Sequence, residues 1–570
     1  MPYRWKNRPQ WLVFGVIIVL TVYHIVRLVV FINEYGGLEH DGGWMLTISR
    51  SLAERGTYTT MVSTLVDPAV VGGVGVDNKF DIQAPDGRIW FFTGNGIGPG
   101  SIVPDAILLW LFGSGFWVLR AGPLLFYALF LILASLIVYR LSGLLAVVLF
   151  HAFLFFYPHL SVFLGYEAMG EVPTMVYVLG AYLMFAAAML HSAPRRRFFF
   201  LAGLVAGLAI NTKLIALWSI GGIAAGGLVY WLVGWRSGKQ NYLSWGELFI
   251  WAVGVGSILA LWELIHLVVL TWLAGFELYV EHTMQRLRFV LDDGSGVGLQ
   301  IHSGPEFFWD KFYLLSEVTH PQQLVVAILF GFLLGGGGWL IWQRRKEVYT
   351  QMLVICIWLG WLLNTIWFVT LAKTGWPRHI WFGLVLAVML LTVLAGELLK
   401  RGLPARPLHP QKLSVGALGV GLWFLIIWGF ISQPHVRGFF IPDEIVPYWQ
   451  EKQIENKYDA SLPWIIIPRA EQQAVVDYIN QMPGEAHVYY PANHKSAEIP
   501  PQTGRIHYPL ARRKFLEPHP ADIVLLGPSI VSPWQDPVRR QALLNQVERE
   551  CPHSILRNDF YVICSIETIQ

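Results

Sequence analysis

The sequence predicts a multi-pass α-helical membrane protein of about eleven transmembrane helices, with a small C-terminal α/β domain. Three observations carry that fold class. Apolar runs long enough to span a bilayer, which takes about 20 helical residues, recur along the chain as far as residue 432. Charged residues make up 14% of the 570, against roughly 25% in soluble domains, while 55% are hydrophobic. Beyond residue 433 the composition turns abruptly polar and proline-rich. The 26 Trp and 34 Phe suit aromatic belts at two membrane interfaces.

Taken in order, the chain opens with Arg4, Lys6 and Arg8 ahead of the apolar run 11–32. That run is longer than a signal-peptide core and no small-residue cleavage site follows, so a retained helix is expected. Further spans are expected at 116–139, 142–158, 172–191, 198–215, 217–234, 247–270, 321–342, 350–371, 379–399 and 413–432. Under that count the basic clusters at Arg4/Lys6/Arg8, Arg140, Arg195 to Arg197, Arg236/Lys239, Arg344 to Lys346 and Lys400/Arg401/Arg406/Lys412 share one side. The positive-inside rule makes that side the cytoplasm. The expected location is the cell membrane, with the amino terminus cytoplasmic. A membrane part, 1–432, then sends two loops, 33–102 and 271–320, to the outer side, and the tail 433–570 forms an extracytoplasmic domain.

The first outer loop carries hairpin chemistry around Ala84-Pro-Asp-Gly-Arg88. In the second, Glu277 to Leu291 has the pattern of an amphipathic helix lying on the membrane surface. The tail reads as a small open sheet. A helix is expected over 469–482, with Val475, Val476 and Ile479 on one face, and strands at 487–490, 523–526 and 560–564. A second helix is expected over 538–547. No glycine-rich phosphate loop follows any strand, so the tail is assigned no chemistry. No internal repeat is present, and Gly335 to Gly338 reads as close helix packing. A net charge of +3 with no basic patch argues against nucleic acid. Cys356 lies in an apolar run and reads as packing, while Cys551 and Cys564 are able to pair if the tail faces an oxidising space, which the sequence leaves open.

Candidate functional residues are the charges that membranes make expensive. Directly after the first span comes Gly37-Leu-Glu-His-Asp-Gly-Gly-Trp44, with Glu39, His40 and Asp41 as its polar centre. Two roles are open to Asp41: cap of a helix starting near Trp44, or a base at the membrane mouth on a glycine hinge. That helix is expected to close at Arg55-Gly56. Glu167 and Glu171 stand four apart before and at the start of the 172–191 span, where helical spacing puts both carboxylates on one face. Like charges there imply a nearby cation, a metal or a raised pKa. Lys213, Lys373 and Arg378 sit at the outer side, where the positive-inside trend disfavours them, and an anionic ligand at the outer leaflet is one reason for cations there. Glu263 with His266 reads as a structural pair between helices, and Arg120 as the partner of a neighbouring carboxylate.

These pieces in this order resemble the GT-C superfamily of membrane glycosyltransferases, in the protein O-mannosyltransferase and aminoarabinose-transferase branch and its bacterial relatives. The likeness covers most of residues 1–400. His40-Asp41-Gly-Gly-Trp44 with Ser51 to Tyr58 resembles the family's first outer loop, and Ile97 to Gly113 with Arg120 the segment leading into its second helix. Gly165 to Tyr177 is similar to its third-to-fourth helix junction, and Lys373 to Arg378 to its short basic late loop. Here Asp41 is followed by glycine rather than a second acid, and Gly98-Pro-Gly100 replaces the usual Lys-Pro-Pro or His-Pro-Pro. The resemblance implies transfer of a sugar, hexose or pentose, from a polyprenyl-phosphate carrier to an acceptor at the outer face, with inversion. Asp41 would be the general base and Glu171 its companion, with His40, Glu167, Lys213, Lys373 and Arg378 around the sugar phosphate. No cofactor is expected, although Asp41 with Glu171 could hold a divalent metal. Neither sugar nor acceptor is legible, and membrane lipids are the remaining partners. A flippase for a lipid-linked sugar and a non-catalytic scaffold are the alternatives. The absence of inverted repeats and the large outer loops favour the enzyme.

Overall fold

The structure, a computed structural model, describes residues 10–76, 79–92, 98–156, 170–190, 195–237, 243–288, 323–372, 377–402, 467–491, 496–527, 545, 551, 553–558 and 560–566. Among these, seven helices are long and apolar enough to cross a membrane. The chain begins with α1 (Gln10–Tyr35), then α2 (His40–Arg55), α3 (Pro99–Phe112) and α4 (Phe116–Phe156). It continues through α5 (Glu171–Ala188), α6 (Arg195–Thr212), α7 (Ala216–Ser237), α8 (Trp245–Ala274) and α9 (Phe276–Arg288). The remaining apolar helices are α10 (Gln323–Gln343), α11 (Val348–Thr370) and α12 (Pro377–Gly402). The spans expected at 116–139 and 142–158 are the two arms of α4, broken where Gly143 takes φ 78. The span expected at 413–432 lies outside the described residues, as does the helix 538–547 but for Asn545.

Bundle packing explains several glycines. A Cβ on Gly203 would lie 2.2 Å from the Trp251 carbonyl, and one on Gly254 2.4 Å from that of Phe200, so α6 and α8 meet backbone to backbone. Of Gly335 to Gly338, expected to pack closely, Gly336 and Gly337 lie under the Leu394 and Trp358 side chains, whereas Gly335 and Gly338 have nothing within 4 Å of a Cβ. Cys356 is buried in the same core.

The ends of the bundle are chemically distinct. At one, Glu397 of α12 gathers Arg344 at 3.1 Å, Lys400 at 2.9 Å and the Ser142 hydroxyl at 3.1 Å. Arg344 also donates to the Leu141 carbonyl at 2.6 Å, so three of the basic clusters meet there. The same end of α6 starts with Arg195, paired with Glu247 at 3.1 Å.

At the other end lie two small sheets. After α2, whose last turn closes on left-handed Gly56, strands β1 (Thr59–Thr60), β2 (Gly72–Val74), β3 (Phe80–Gln83) and β4 (Ile89–Trp90) form an antiparallel sheet in the order β1-β4-β3-β2. The expected hairpin is present: Gly87 takes φ 91 and its N–H donates to the Ala84 carbonyl at 2.8 Å. The C-terminal elements are α13 (Arg469–Gln481), β5 (Val488–Tyr490), α14 (Pro500–Thr503), β6 (His507–Pro509), β7 (Ile523–Leu526), β8 (Ser554–Arg557) and β9 (Val562–Ser565). Their sheet runs β6-β5-β7-β9-β8, with β5 parallel to β6 and β7, and β9 antiparallel to β7 and β8. Val475, Val476 and Ile479 pack on Ile523, Leu525 and Ile563, the face expected from the helical period. Cys551 and Cys564 form a disulfide. The two sheets touch where Ser63 N–H donates to the His507 carbonyl at 2.9 Å and His507 N–H to the Met61 carbonyl at 3.0 Å.

The surface helix α9 lies against α8. Arg286 forks onto both Glu263 oxygens at 2.7 Å and approaches His266 at 3.3 Å. Glu263 and His266 are therefore structural, with Arg286 as a third member. The buried residue of α9, His282, bonds the Phe91 carbonyl at 3.1 Å.

Candidate active site

The stretch between α1 and α2 is held from two directions. Arg120 of α4, buried, donates to the Gly36 carbonyl and, at 2.5 Å, to that of Gly37. Its partners include these two backbone carbonyls. A guanidinium presents several donors in a rigid fork, which suits two adjacent carbonyls. From the C-terminal side, Gly37 N–H donates to the Ile467 carbonyl at 3.0 Å, and Gln472 bonds both the N–H and the C=O of Leu38 at 2.8 and 3.0 Å. A chain fixed at three successive residues enters α2 at a set angle.

That entry decides which acid caps the helix. Helix α2 starts at His40, not near Trp44, and its N-cap is Glu39, with φ −90 and ψ 158 and a carboxylate accepting from Gly42 N–H at 3.3 Å. A cap needs extended backbone, and Asp41 is already helical, so the capping role expected of Asp41 falls to Glu39. Asp41 stands in the first turn, half-buried, where the helix dipole favours a carboxylate. The glycines are not a hinge either. Gly42 and Gly43 are buried within α2, and a Cβ on Gly43 would lie 2.5 Å from the Ala497 carbonyl oxygen and from the Glu498 N and Cα. They let the C-terminal backbone come close.

His40 joins that contact. The Trp44 indole N–H donates to its Nε2 at 3.1 Å, and its Nδ1 lies 3.7 Å from the carboxylate of Glu498, which is fully buried. Burial opposes charge on His40, but Glu498, with Asp41 and Glu39 beside it, outweighs that and holds its pKa above the ordinary value. Burial also raises the pKa of Glu498, against the pull of His40.

A second pair forms at the start of α5. Lys213, just past α6, makes an ion pair with Glu171, and their side chains are only 10% and 1% exposed. This is the cation that the Glu167/Glu171 spacing called for, supplied to Glu171 by a residue expected to face a phosphate. The turn Gly98-Pro-Gly100 sits against the same end: Gly98 N–H donates to the Thr212 carbonyl at 2.8 Å, and the Tyr177 hydroxyl to that of Gly100 at 2.7 Å. A Cβ on Gly98 would fall 1.6 Å from the Asn211 carbonyl, so this packing has no room for a side chain there. Glu167 and Lys373 lie outside the described residues. Arg378 is in the first turn of α12, its side chain likewise outside them. Among the described residues no three His, Cys, Asp or Glu side chains gather as metal ligands.

Sequence reasoning missed Glu39 as the cap and Gln472, Glu498 and Tyr561 altogether. Only Glu39 carried a signal, being an acid one residue before a helix start.

The architecture is the GT-C fold. More particularly, the chain is similar to ArnT from Cupriavidus metallidurans in the apo state, with 15% identity and a TM-score of 0.54 over 98% of this chain and 99% of that one. The same enzyme bound to undecaprenyl phosphate matches at 15% identity and 0.53, with the same coverage. A looser likeness, at 11% identity and 0.48 over 90% of this chain and 69% of the other, is to the archaeal oligosaccharyltransferase AglB from Archaeoglobus fulgidus. No family model matches the chain, and no curated protein matches it in sequence.

Proposed function

We propose that this protein is a membrane glycosyltransferase that moves a sugar from a polyprenyl-phosphate carrier to an acceptor hydroxyl at the outer face of the membrane. The observation that carries the reading is the fold likeness to ArnT over nearly the whole of both chains, an enzyme also solved with undecaprenyl phosphate. Asp41 is the general base: with the cap supplied by Glu39, its carboxylate is not needed to start α2. It takes the proton as the acceptor oxygen attacks the anomeric carbon, the bond from that carbon to the phosphate oxygen breaks, and the carrier leaves as polyprenyl phosphate. One base and no designated nucleophile make this a single displacement with inversion.

Charge develops on the departing phosphate, so cations placed there act mainly in the transition state. Lys373 and Arg378 take that role. Lys213 is paired with Glu171 and sets the charge of the pocket wall. The Cys551–Cys564 disulfide supports an extracytoplasmic tail, since such bonds persist in oxidising compartments. The test is to incubate purified protein with labelled polyprenyl-phosphate sugars and an acceptor pool. Release of free carrier phosphate supports the enzyme. Movement of intact donor across liposomes without cleavage would make it a flippase.

A further inference from the structure

The C-terminal unit meets the Asp41 stretch through a line of buried side chains. Gln472, already clamped on Leu38, donates to the Tyr561 hydroxyl at 3.2 Å, and Tyr561 donates to Glu498 Oε1 at 3.0 Å. Among the described residues Glu498 Oε2 has no hydrogen-bond partner within bonding distance, and it faces His40 Nδ1 at 3.7 Å. A fully buried carboxylate is costly unless a donor or an opposite charge compensates it. His40 is the ring placed to do so.

The other side of the ring fixes the proton. An indole N–H can only donate, so the Trp44 bond leaves Nε2 with its lone pair and puts the imidazole proton on Nδ1, towards Glu498. An acid at one nitrogen and a donor at the other set both tautomer and orientation. The His40 side chain is 36% exposed, next to Asp41 in the same helical turn. Groups facing it are Glu498 from the C-terminal unit, and Asp41, Glu39 and Trp44 from its own segment.

We propose that Glu498 is a positioning residue, which reaches from the C-terminal unit to fix the orientation and charge of His40 beside Asp41. The tail thereby becomes part of the reaction site. Protonation at Nε2 breaks the Trp44 bond, so the pair also sets the pH at which the ring lets go. The kinetic consequence rests on the transferase reading, whereas the behaviour of His40 does not.

The test uses the full chain in detergent with ¹³C-labelled histidine, the His40 signal being assigned by its loss in His40→Gln. Glu498→Gln keeps the side-chain volume and an acceptor for Tyr561 but removes the charge. The expected result is a His40 titration midpoint lower by about half a pH unit or more. In the transfer assay kcat should fall about fivefold or more with donor KM within about twofold, and Glu498→Gln added to His40→Gln should cost nothing further. An unchanged His40 midpoint overturns the proposal whatever the substrate. An active enzyme in which the two substitutions lose rate additively overturns it too, and leaves the transferase reading standing. Should Glu498→Gln fail to fold, Trp44→Phe keeps an aromatic ring beside Phe92 and removes the donor at Nε2. It should raise the His40 midpoint, and no change would contradict the geometry.

Discussion

Gly43→Ala tests the contact between α2 and the C-terminal unit with a single methyl group. In an exposed helix interior, alanine in place of glycine stabilises by about 1 kcal/mol. Here the added Cβ would lie 2.5 Å from three backbone atoms, the Ala497 oxygen and the Glu498 N and Cα. Carbon contacts are favourable near 3.5–4.0 Å, so the backbones must part by about 1 Å. Overpacking of that kind costs about 1–3 kcal/mol. The overlap outweighs the propensity gain, and the net effect is a loss of up to about 2 kcal/mol. Gly256, in the middle of α8 with nothing within 4 Å of its Cβ, is the control. Thermal unfolding in detergent should show Gly43→Ala below wild type and Gly256→Ala at or above it, and protease should reach the C-terminal unit faster only in the former. A Gly43→Ala protein stabilised as much as the control would refute the docked geometry.

Two further outcomes follow from buried charges. Lys213→Met should destabilise strongly, by about 3–5 kcal/mol, because it strands the Glu171 carboxylate, and adding Glu171→Gln should recover most of the loss in the same unfolding assay. Asp81 is fully buried, and burial pushes its pKa up to about 7, against the Thr64 hydroxyl and Lys79. Its folded pKa lies above its unfolded value, so the contribution of Asp81 to stability is greatest below about pH 4 and is lost as pH rises towards 7. Asp81→Asn removes that penalty: it should raise the unfolding midpoint at pH 8, with the difference from wild type vanishing towards pH 4.

What could be read in the sequence was what local pattern encodes. Length and apolarity located the helices, and basic loops such as Arg344 to Lys346 marked an end of the bundle that the structure does gather around Glu397. The hairpin at Ala84 to Arg88 and the cap at Gly56 follow from backbone conformations that glycine favours. The capping residue of α2 did not follow, because Asp41 and Glu39 are both plausible acids. The choice is made by Arg120 and Gln472 fixing the chain at Gly36 to Leu38. Gln472 lies 434 residues from Leu38, and nothing in its helix distinguishes it from the Gln beside it. Glu498 is similarly unmarked, being an acid in a polar tail whose burial exists only once the tail docks. The need of Glu171 for a cation was legible, since a buried carboxylate demands compensation. That Lys213 meets it depends on α5 and α6 being antiparallel neighbours.

The central claim is carrier release dependent on Asp41. Purified wild type and Asp41→Asn are to be compared for free polyprenyl phosphate released from a labelled donor, with unfolding midpoints measured on the same samples. Asparagine keeps the size and loses the base, so the account predicts release by wild type and a fall of about 10²–10⁴-fold in a variant that is still folded at the assay temperature. Release by Asp41→Asn within about threefold of wild type would contradict it, since a base contributes far more than that.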